Sequence, residues 1–196
     1  AARKSAEPIL YVVDAYSLIF QVFHALPEMS SPTGQPVAAV HGFVRDMVDL
    51  LENRKPDYLI CAFDAPGPTF RDERYAQYKA NREEMPADLQ AQIPHIRRML
   101  DALGIPVLER EGFEADDVMA TLARLSAQRE MQCILVTSDK DCRQLINDRV
   151  QLYNIRKDQL FDDASLQKDW GIRPAQVVDF QAMVGDSTDN VPGIPK

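Results

Sequence analysis

The chain has 196 residues, with 30 acidic and 22 basic side chains and a net charge of −8. That length predicts one domain able to bury about 70% of its unfolded surface, and the net acidity argues against a protein that simply coats phosphate backbones. Three cysteines (Cys61, Cys133 and Cys142) with no C-x-x-C spacing exclude a disulfide framework or cysteine-zinc site by pattern. No apolar run reaches membrane-spanning length, so a soluble chain of a reducing cytoplasm is expected. Residues 1–8 read as a polar tail, and the lack of an initiator Met is read as the mark of an excised piece.

Ile9-Leu10-Tyr11-Val12-Val13 is a continuous apolar run, the pattern of a strand buried on both faces, and it ends in Asp14. A helix is expected from Ser17 to Ala25, with His24 as a packing or capping residue. Ser30 to Pro36 has the composition of a surface loop. A helix over Val40–Leu51, burying Phe43, Met47, Leu50 and Leu51, leads to a second buried strand, Tyr58 to Phe63, which ends in Asp64. A right-handed strand–helix–strand crossover puts Asp14 and Asp64 on one edge of a parallel sheet.

After Pro66-Gly67-Pro68 the chain changes character. If Arg71 to Arg82 is helical, Arg71, Arg74, Tyr75, Tyr78, Lys79 and Arg82 share an arc of about 140° that excludes Asp72 and Glu73. This basic, aromatic stripe is either a solvated helix face or a surface that grips phosphates and stacks unpaired bases. Its low apolar content predicts order only against a partner. A helix from Pro86 to Leu103 carries Leu89, Ile93, Ile96, Met99, Leu100 and Leu103 as its core stripe, with Gly104 as its cap; Ile105–Leu108 suits an edge strand because of Pro106.

Glu114, Asp116 and Asp117 fall on the first turn of a helix to about Gln128 whose apolar stripe is Val118, Leu122 and Leu125. Acids are favoured there by the free N–H groups and the dipole, so a well-capped helix is the plain reading. A third buried strand, Cys133 to Val136, delivers Asp139 and Asp141, one of them expected to cap a helix over Cys142–Ile146. Val150–Ile155 reads as a strand, Asp163 as the cap of a helix to Trp170, and Pro174–Val184 as a helix ended by Gly185, after which come Asp186 and Asp189.

Asp14, Asp64, Glu114, Asp116, Asp117, Asp139, Asp141, Asp186 and Asp189 thus come from five segments and are expected at one sheet edge. Setting these nine acids aside leaves 21 against 22 bases, so the acidity belongs to one site. Crowded carboxylates raise one another's pKa values and call for bound cations. An oxygen-only donor set selects Mg²⁺ or Mn²⁺, and the count suits two or more ions. Paired metals about 4 Å apart serve phosphodiester hydrolysis, and the basic stripe supplies the grip on substrate. An aspartyl phosphatase would want Asp-x-Asp after the first strand, whereas Asp14 is followed by Ala15 and Tyr16.

The motifs Val12-Val13-Asp14-Ala15, Phe63-Asp64-Ala65, Thr69-Phe70-Arg71-Asp72-Glu73, Tyr78-Lys79-Ala80-Asn81-Arg82, Glu114-Ala115-Asp116-Asp117, Ser138-Asp139-Lys140-Asp141 and Gly185-Asp186-Ser187-Thr188-Asp189-Asn190-Val191-Pro192-Gly193 span Ile9 to Lys196. In that order they resemble the flap-endonuclease family, and within it the 5′-nuclease domains of bacterial DNA polymerase I. The resemblance implies an α/β, PIN-like (Rossmann-like) fold, with a mostly parallel central sheet flanked by helices and a helical arch over the site. It assigns residues 9–184 to the nuclease domain, about 66–95 to the arch, and 185–196 to the last metal loop and the start of a helical-hairpin region that grips duplex DNA. The implied enzyme is a 5′-3′ exonuclease and flap endonuclease acting on 5′ flaps or junctions and RNA primers during replication and repair.

Asp14, Asp64 and Asp116 are implied for a first metal, with Glu114 and Asp117 in or beside its shell. Asp139, Asp141, Asp186 and Asp189 are implied for a second. Lys79 and Arg82 are implied for the scissile phosphate, and Tyr78 is a candidate for stacking a base. A monomer in the bacterial cytoplasm, near the nucleoid and with a polymerase domain in the same native chain, completes the expectation. A chain ending before the hairpin is expected to bind DNA weakly. Two further readings remain open on the residues alone: a metal- and DNA-binding module without catalysis, and a PIN-type ribonuclease.

Overall fold

The structure is a computed structural model and describes residues 7–195. Of the polar tail, residues 1–6 lie outside the described range; Glu7 accepts hydrogen bonds from Gln132 and Arg149, and the Pro8 carbonyl accepts from the Gln132 N–H.

The apolar runs become β1 (Ile9–Asp14), β2 (Tyr58–Ala62), β4 (Gln132–Val136) and β5 (Val150–Asn154), joined by the two-residue edge strand β3 (Val107–Leu108). These five are parallel, and the antiparallel β6 (Gln159–Phe161) closes the order β3-β2-β1-β4-β5-β6. β1 is central, and Val12 and Val13 are wholly buried because helices cover both faces. One layer is built from α1 (Ala15–Ala25), α2 (Ala38–Asp49), α4 (Ala87–Gln90) and α5 (Ile93–Ala102), which pack Leu18, Ile19, Phe43, Met47, Leu89 and Ile96 against Val13 and Phe63. The other is carried by α6 (Ala115–Gln128), whose Met119 and Ala123 meet Val12 and Leu135.

From β1 the sheet runs out through β2 to β3 on one side and through β4 to β5 on the other. The crevice between the carboxyl ends of β1 and β4 is therefore the topological switch point, where open α/β sheets bind ligands. Asp14 pairs in register with Ala62, and Val13 with both Cys61 and Val136, so the three strands end at one level.

Several elements differ from the expected ones, each for a local reason. The basic stripe is not one helix. α3 covers only Phe70–Arg74, started by a capping box between Thr69 and Asp72; the chain then turns, and Lys79 takes a left-handed φ of 55° as its N–H bonds the Asp189 carbonyl. The Pro86–Leu103 helix is split between α4 and α5 because Gln92 turns inward. Its Oε1 accepts from the Ala39 and Val40 N–H groups at 2.8 and 3.2 Å and caps α2, whose own cap residue Val37 has no side chain to do so.

On α6 the fully buried positions are Ala115, Met119, Ala123 and Ser126, one position on from the expected stripe, and Leu125 is exposed. The short helix after β4 is a 3₁₀ turn, Asp141–Leu145, in which Asp139 caps the Asp141 N–H. Asp162 rather than Asp163 caps α7 (Asp163–Trp170), accepting from the Ser165 N–H at 2.9 Å. A 3₁₀ turn at Pro174–Gln176 precedes α8 (Val177–Val184). The β5–β6 hairpin was not expected, because its turn is charged and β6 has only three residues.

Candidate active site

The switch point fills with carboxylates because each parallel strand delivers its acid there. Asp14 caps α1 as well as ending β1: its Oδ1 accepts from the Ser17 N–H at 3.1 Å and its Oδ2 from the Thr137 hydroxyl at 2.9 Å. Asp64 accepts from the Ala115 N–H at 2.6 Å, which pins the start of α6 to the end of β2. Glu114 and Asp117 form the capping box of α6, leaving Asp116 to project between them.

A pocket of about 370 Å³ is lined by Asp14, Asp64, Glu114, Asp116 and Asp139, with Lys79 and Arg82. A second, of about 160 Å³, adjoins it through Glu114 and Asp116 and adds Asp117, Asp141, Asp189, Arg71, Tyr78 and Cys142. Asp139 thus sits with Asp14, Asp64 and Asp116. Asp141, Asp186 and Asp189 form their own group, each offering an oxygen within 4.8 Å of the others.

The two groups differ electrostatically. Burial, then the neighbouring charges of Asp64 and Asp139, push Asp14 up to about 6. Burial and the carboxylates of Asp14, Asp139 and Asp64 push Asp116 up to about 8. Asp141 is also raised by burial and by Asp139, against a hydrogen bond from Gln181 on α8. Asp186 is held below the ordinary range. Its burial opposes this, but the Thr188 N–H and Lys140, 3.3 Å away, outweigh it. An all-oxygen donor set whose most buried members resist ionisation suits a hard divalent cation, so the residues fit a metal of that class.

The expected basic residues reach this site by separate routes. Arg71 makes a two-pronged pair with Asp117 at 2.7 and 3.0 Å, and Asp117 Oδ2 also accepts from the Glu114 N–H. Lys79 Nζ lies 2.6 Å from Glu114 Oε1, and Arg82 Nη2 lies 2.6 Å from Asp189 Oδ1. Tyr78 does more than offer a ring: its hydroxyl lies 3.0 Å from Glu114 and 3.2 Å from Asp189, spanning both carboxylate groups. Tyr75 donates to the Asn190 carbonyl, while Arg74 lies over the Phe70 ring, away from the pockets' linings.

The segment from Tyr75 to Arg82 is seated on the loop after α8, through Tyr75 and Lys79 N–H and through Asn81 to the Ser187 carbonyl and Asn190 to the Gln77 carbonyl. Gln181, Lys140 and Thr137, which hold Asp141, Asp186 and Asp14, were not foreseen. Lys140 is flagged only by lying between two of the acids, and Gln181 by standing one helical turn before Gly185.

Comparison with known proteins decides the family. Residues 9–171 match the family model described as 5′-3′ exonuclease, N-terminal resolvase-like domain. The chain belongs to the 5′-3′ exonuclease family. This exonuclease domain is 41% identical over 186 residues to DNA polymerase I of Pseudomonas aeruginosa, covering 95% of this chain and 20% of that protein. It is 40% identical over 185 residues to the 5′-3′ exonuclease of Aquifex aeolicus, covering 94% and 64%. The chain therefore spans about a fifth of the polymerase relatives.

Among solved structures, the fold matches a bacteriophage T5 5′-exonuclease with zinc bound (TM-score 0.76, 21% identity, 94% of this chain and 69% of that one). It also matches a T5 flap endonuclease in complex with DNA and metal ions (TM-score 0.74, 20% identity, again 94% and 69%). The expected α/β, mostly parallel fold is the one these nucleases share. Among the described residues no helix is long and apolar enough to cross a membrane.

Proposed function

We propose that this domain is a structure-specific nuclease that hydrolyses phosphodiester bonds at 5′ flaps and junctions of DNA, and RNA primers annealed to it, using two or more Mg²⁺ or Mn²⁺ ions. The observation that carries the reading is the convergence of eight carboxylates from five segments on two adjoining pockets, one of which also holds Lys79 and Arg82, with Asp186 grouped beside Asp141 and Asp189. Asp14, Asp64, Asp116 and Asp139 would hold one cation and Asp141, Asp186 and Asp189 another. When bound, these ions supply a nucleophile at neutral pH and charge compensation for an in-line displacement.

The protein's own groups do the rest. Thr137 and the Ser17 N–H fix both oxygens of Asp14, so its rotamer is set before substrate arrives. Lys79 and Arg82 bring fixed positive charge to the mouth of an acidic pocket, and a phosphate oxygen is the natural replacement for their present partners Glu114 and Asp189. Tyr78, bonded to those same two acids, orients the arch over the site. Membership in an exonuclease family disfavours a non-catalytic binding module.

The proposal extends to a monomer of the bacterial cytoplasm whose native chain carries a polymerase domain, since the relatives that it matches over a fifth of their length are DNA polymerases. The test is cleavage of a labelled 5′-flap duplex beside a plain single strand, in Mg²⁺ and then in EDTA. Mg²⁺-dependent cutting near the junction is expected. Binding of the flap with no cutting in either Mg²⁺ or Mn²⁺ would overturn the catalytic reading.

A further inference from the structure

A small polar cluster that reaches the pocket through Ser17 contributes no side chain to the reading above, on which this inference rests. Gln21 Nε2 lies 3.0 Å from the Ser17 carbonyl, 3.2 Å from Ser17 Oγ and 3.0 Å from Ser138 Oγ. The backbone carbonyl fixes which end of the amide is nitrogen, so the two N–H bonds of Gln21 are shared among the Ser17 carbonyl and the two hydroxyl oxygens. The two hydroxyls lie 3.4 Å apart. One can donate to the other, and among the described residues the second O–H has no protein acceptor.

Ser17 lines the pocket that also contains Asp14, Asp139, Lys79 and Arg82, and Ser138 stands between Thr137 and Asp139 in the chain. The Thr137 O–H is already used, donating to Asp14, and its oxygen accepts from the Asp139 N–H. Ser138 is exposed and not so engaged.

We propose that Ser17, Ser138 and Gln21 form a subsite for a non-scissile phosphate of the bound strand. The choice of residue type is the argument. A lysine beside Asp14 and Asp139 would be captured by them, as Lys79 is by Glu114. A hydroxyl that accepts from an amide keeps its own O–H free to donate, and it stays available to an anionic oxygen. The ligand is a phosphodiester oxygen of the strand being cut, and the contact is neutral, directional and independent of base identity.

The test pairs substrate and protein changes. A 5′-flap substrate is made with single methylphosphonates at successive positions around the junction, and both affinity and kcat/KM are measured in Mg²⁺. In the unaltered domain, one position other than the scissile one is expected to cost about tenfold, the scale of a hydrogen bond to a charged group. In Ser17→Ala/Ser138→Ala the unmodified substrate loses about tenfold, and the methylphosphonate at that position costs nothing further. Gln21→Leu keeps the serines but frees their rotation, and is expected to give a smaller loss at the same position; it also covers the case of a double variant that fails to fold. Retention of every positional penalty in the variants overturns the subsite, as does a loss that appears only as a higher Mg²⁺ requirement. A domain that binds the flap without cutting it overturns the nuclease reading instead, while the affinity scan still decides the subsite.

Discussion

The two halves of the carboxylate site are built by different means. Asp14, Asp64, Asp116 and Asp139 are set by the sheet and by the first turn of α6, packed over wholly buried residues such as Val13, Phe63 and Leu135. Asp186 and Asp189 sit on a loop after α8, closed by a bridge between Asp186 and Val191. In the sheet half Asp14 and Asp116 resist ionisation because they are buried among like charges, whereas Asp186 is held in its ionised form by the Thr188 N–H and Lys140. Asp14 and Asp116 store electrostatic strain in a rigid frame; Asp186 is relaxed but depends on its loop.

The largest expected effect separates stability from turnover in the sheet half. Asp116 titrates at about 8 in the fold against 3.8 unfolded. Its ionised form therefore costs stability, increasingly as pH rises from about 4 to about 8. In EDTA at pH 7.5, Asp116→Asn should raise Tm by roughly 3–6 °C, while kcat in Mg²⁺ falls by roughly a thousandfold, as when a group that compensates transition-state charge is removed. A variant that loses Tm as well as turnover would show that the strain assigned to this half is absent.

In the loop half the corresponding break is made in the backbone. Gly185 has a left-handed φ of 77°, and a Cβ on it would lie 2.3 Å from the Gly193 nitrogen; a Cβ on Gly193 would lie 2.3 Å from the Val184 carbonyl oxygen. Both neighbours are backbone and cannot step aside. Gly193→Ala should therefore open the loop and displace Asp186 and Asp189. The expected result is a loss of about a hundredfold in kcat/KM, as for a misplacement of about 1 Å at a reacting centre, with Tm falling by only a few degrees. Mn²⁺ binding followed by electron paramagnetic resonance should lose its contribution from the loop half.

This contrast also marks what the sequence alone revealed. Asp14, Asp64 and Asp139 were legible because an apolar run followed by an acid has one physical meaning in a parallel sheet. The Arg71–Arg82 segment was legible as basic and aromatic but not in its shape. Arg71 to Arg82 fits a helical arc, yet the partners that bend it, the Asp189 carbonyl for Lys79 and the Asn190 carbonyl for Tyr75, stand more than a hundred residues away. Periodicity carries no information about such contacts. The same holds for Gln92, read as part of a continuous helix although its amide caps α2 from 52 and 53 residues away.

A pH titration sharpens the comparison further. Cations displace protons from the carboxylates that they bind, so affinity rises with pH until the last of those groups is ionised. Asp14 at about 6 and Asp116 at about 8 predict that Mn²⁺ affinity climbs with pH by up to about tenfold per unit for each displaced proton, with both groups contributing below pH 6 and Asp116 alone between 6 and 8, and levels above 8. Asp186, held low, contributes no rise in that window. Removing the upper group in Asp116→Asn should leave a curve that flattens near 6.

The smallest expected effect divides the arch itself. Arg71 was expected to grip DNA alongside Lys79 and Arg82, but its guanidinium lies over the Phe70 ring and spends its fork on Asp117, at the start of α6. Asp117 is lowered: burial acts against this, and the Arg71 hydrogen bonds and charge overcome it. Arg71 thus ties the short helix α3 to the helix that carries Asp116. Arg71→Met keeps the packing stem and loses the fork, so it should cost about 1 kcal/mol of stability, a Tm drop of roughly 2–4 °C. Flap affinity should change less than threefold. Arg82 pairs with Asp189 across a more exposed contact, and Arg82→Met should show the reverse, with little change in Tm and a loss of turnover well above threefold. If Arg71→Met instead weakens DNA binding as much as Arg82→Met while Tm is unchanged, Arg71 belongs with the phosphate-binding residues, and the arch is held to α6 by something other than this pair.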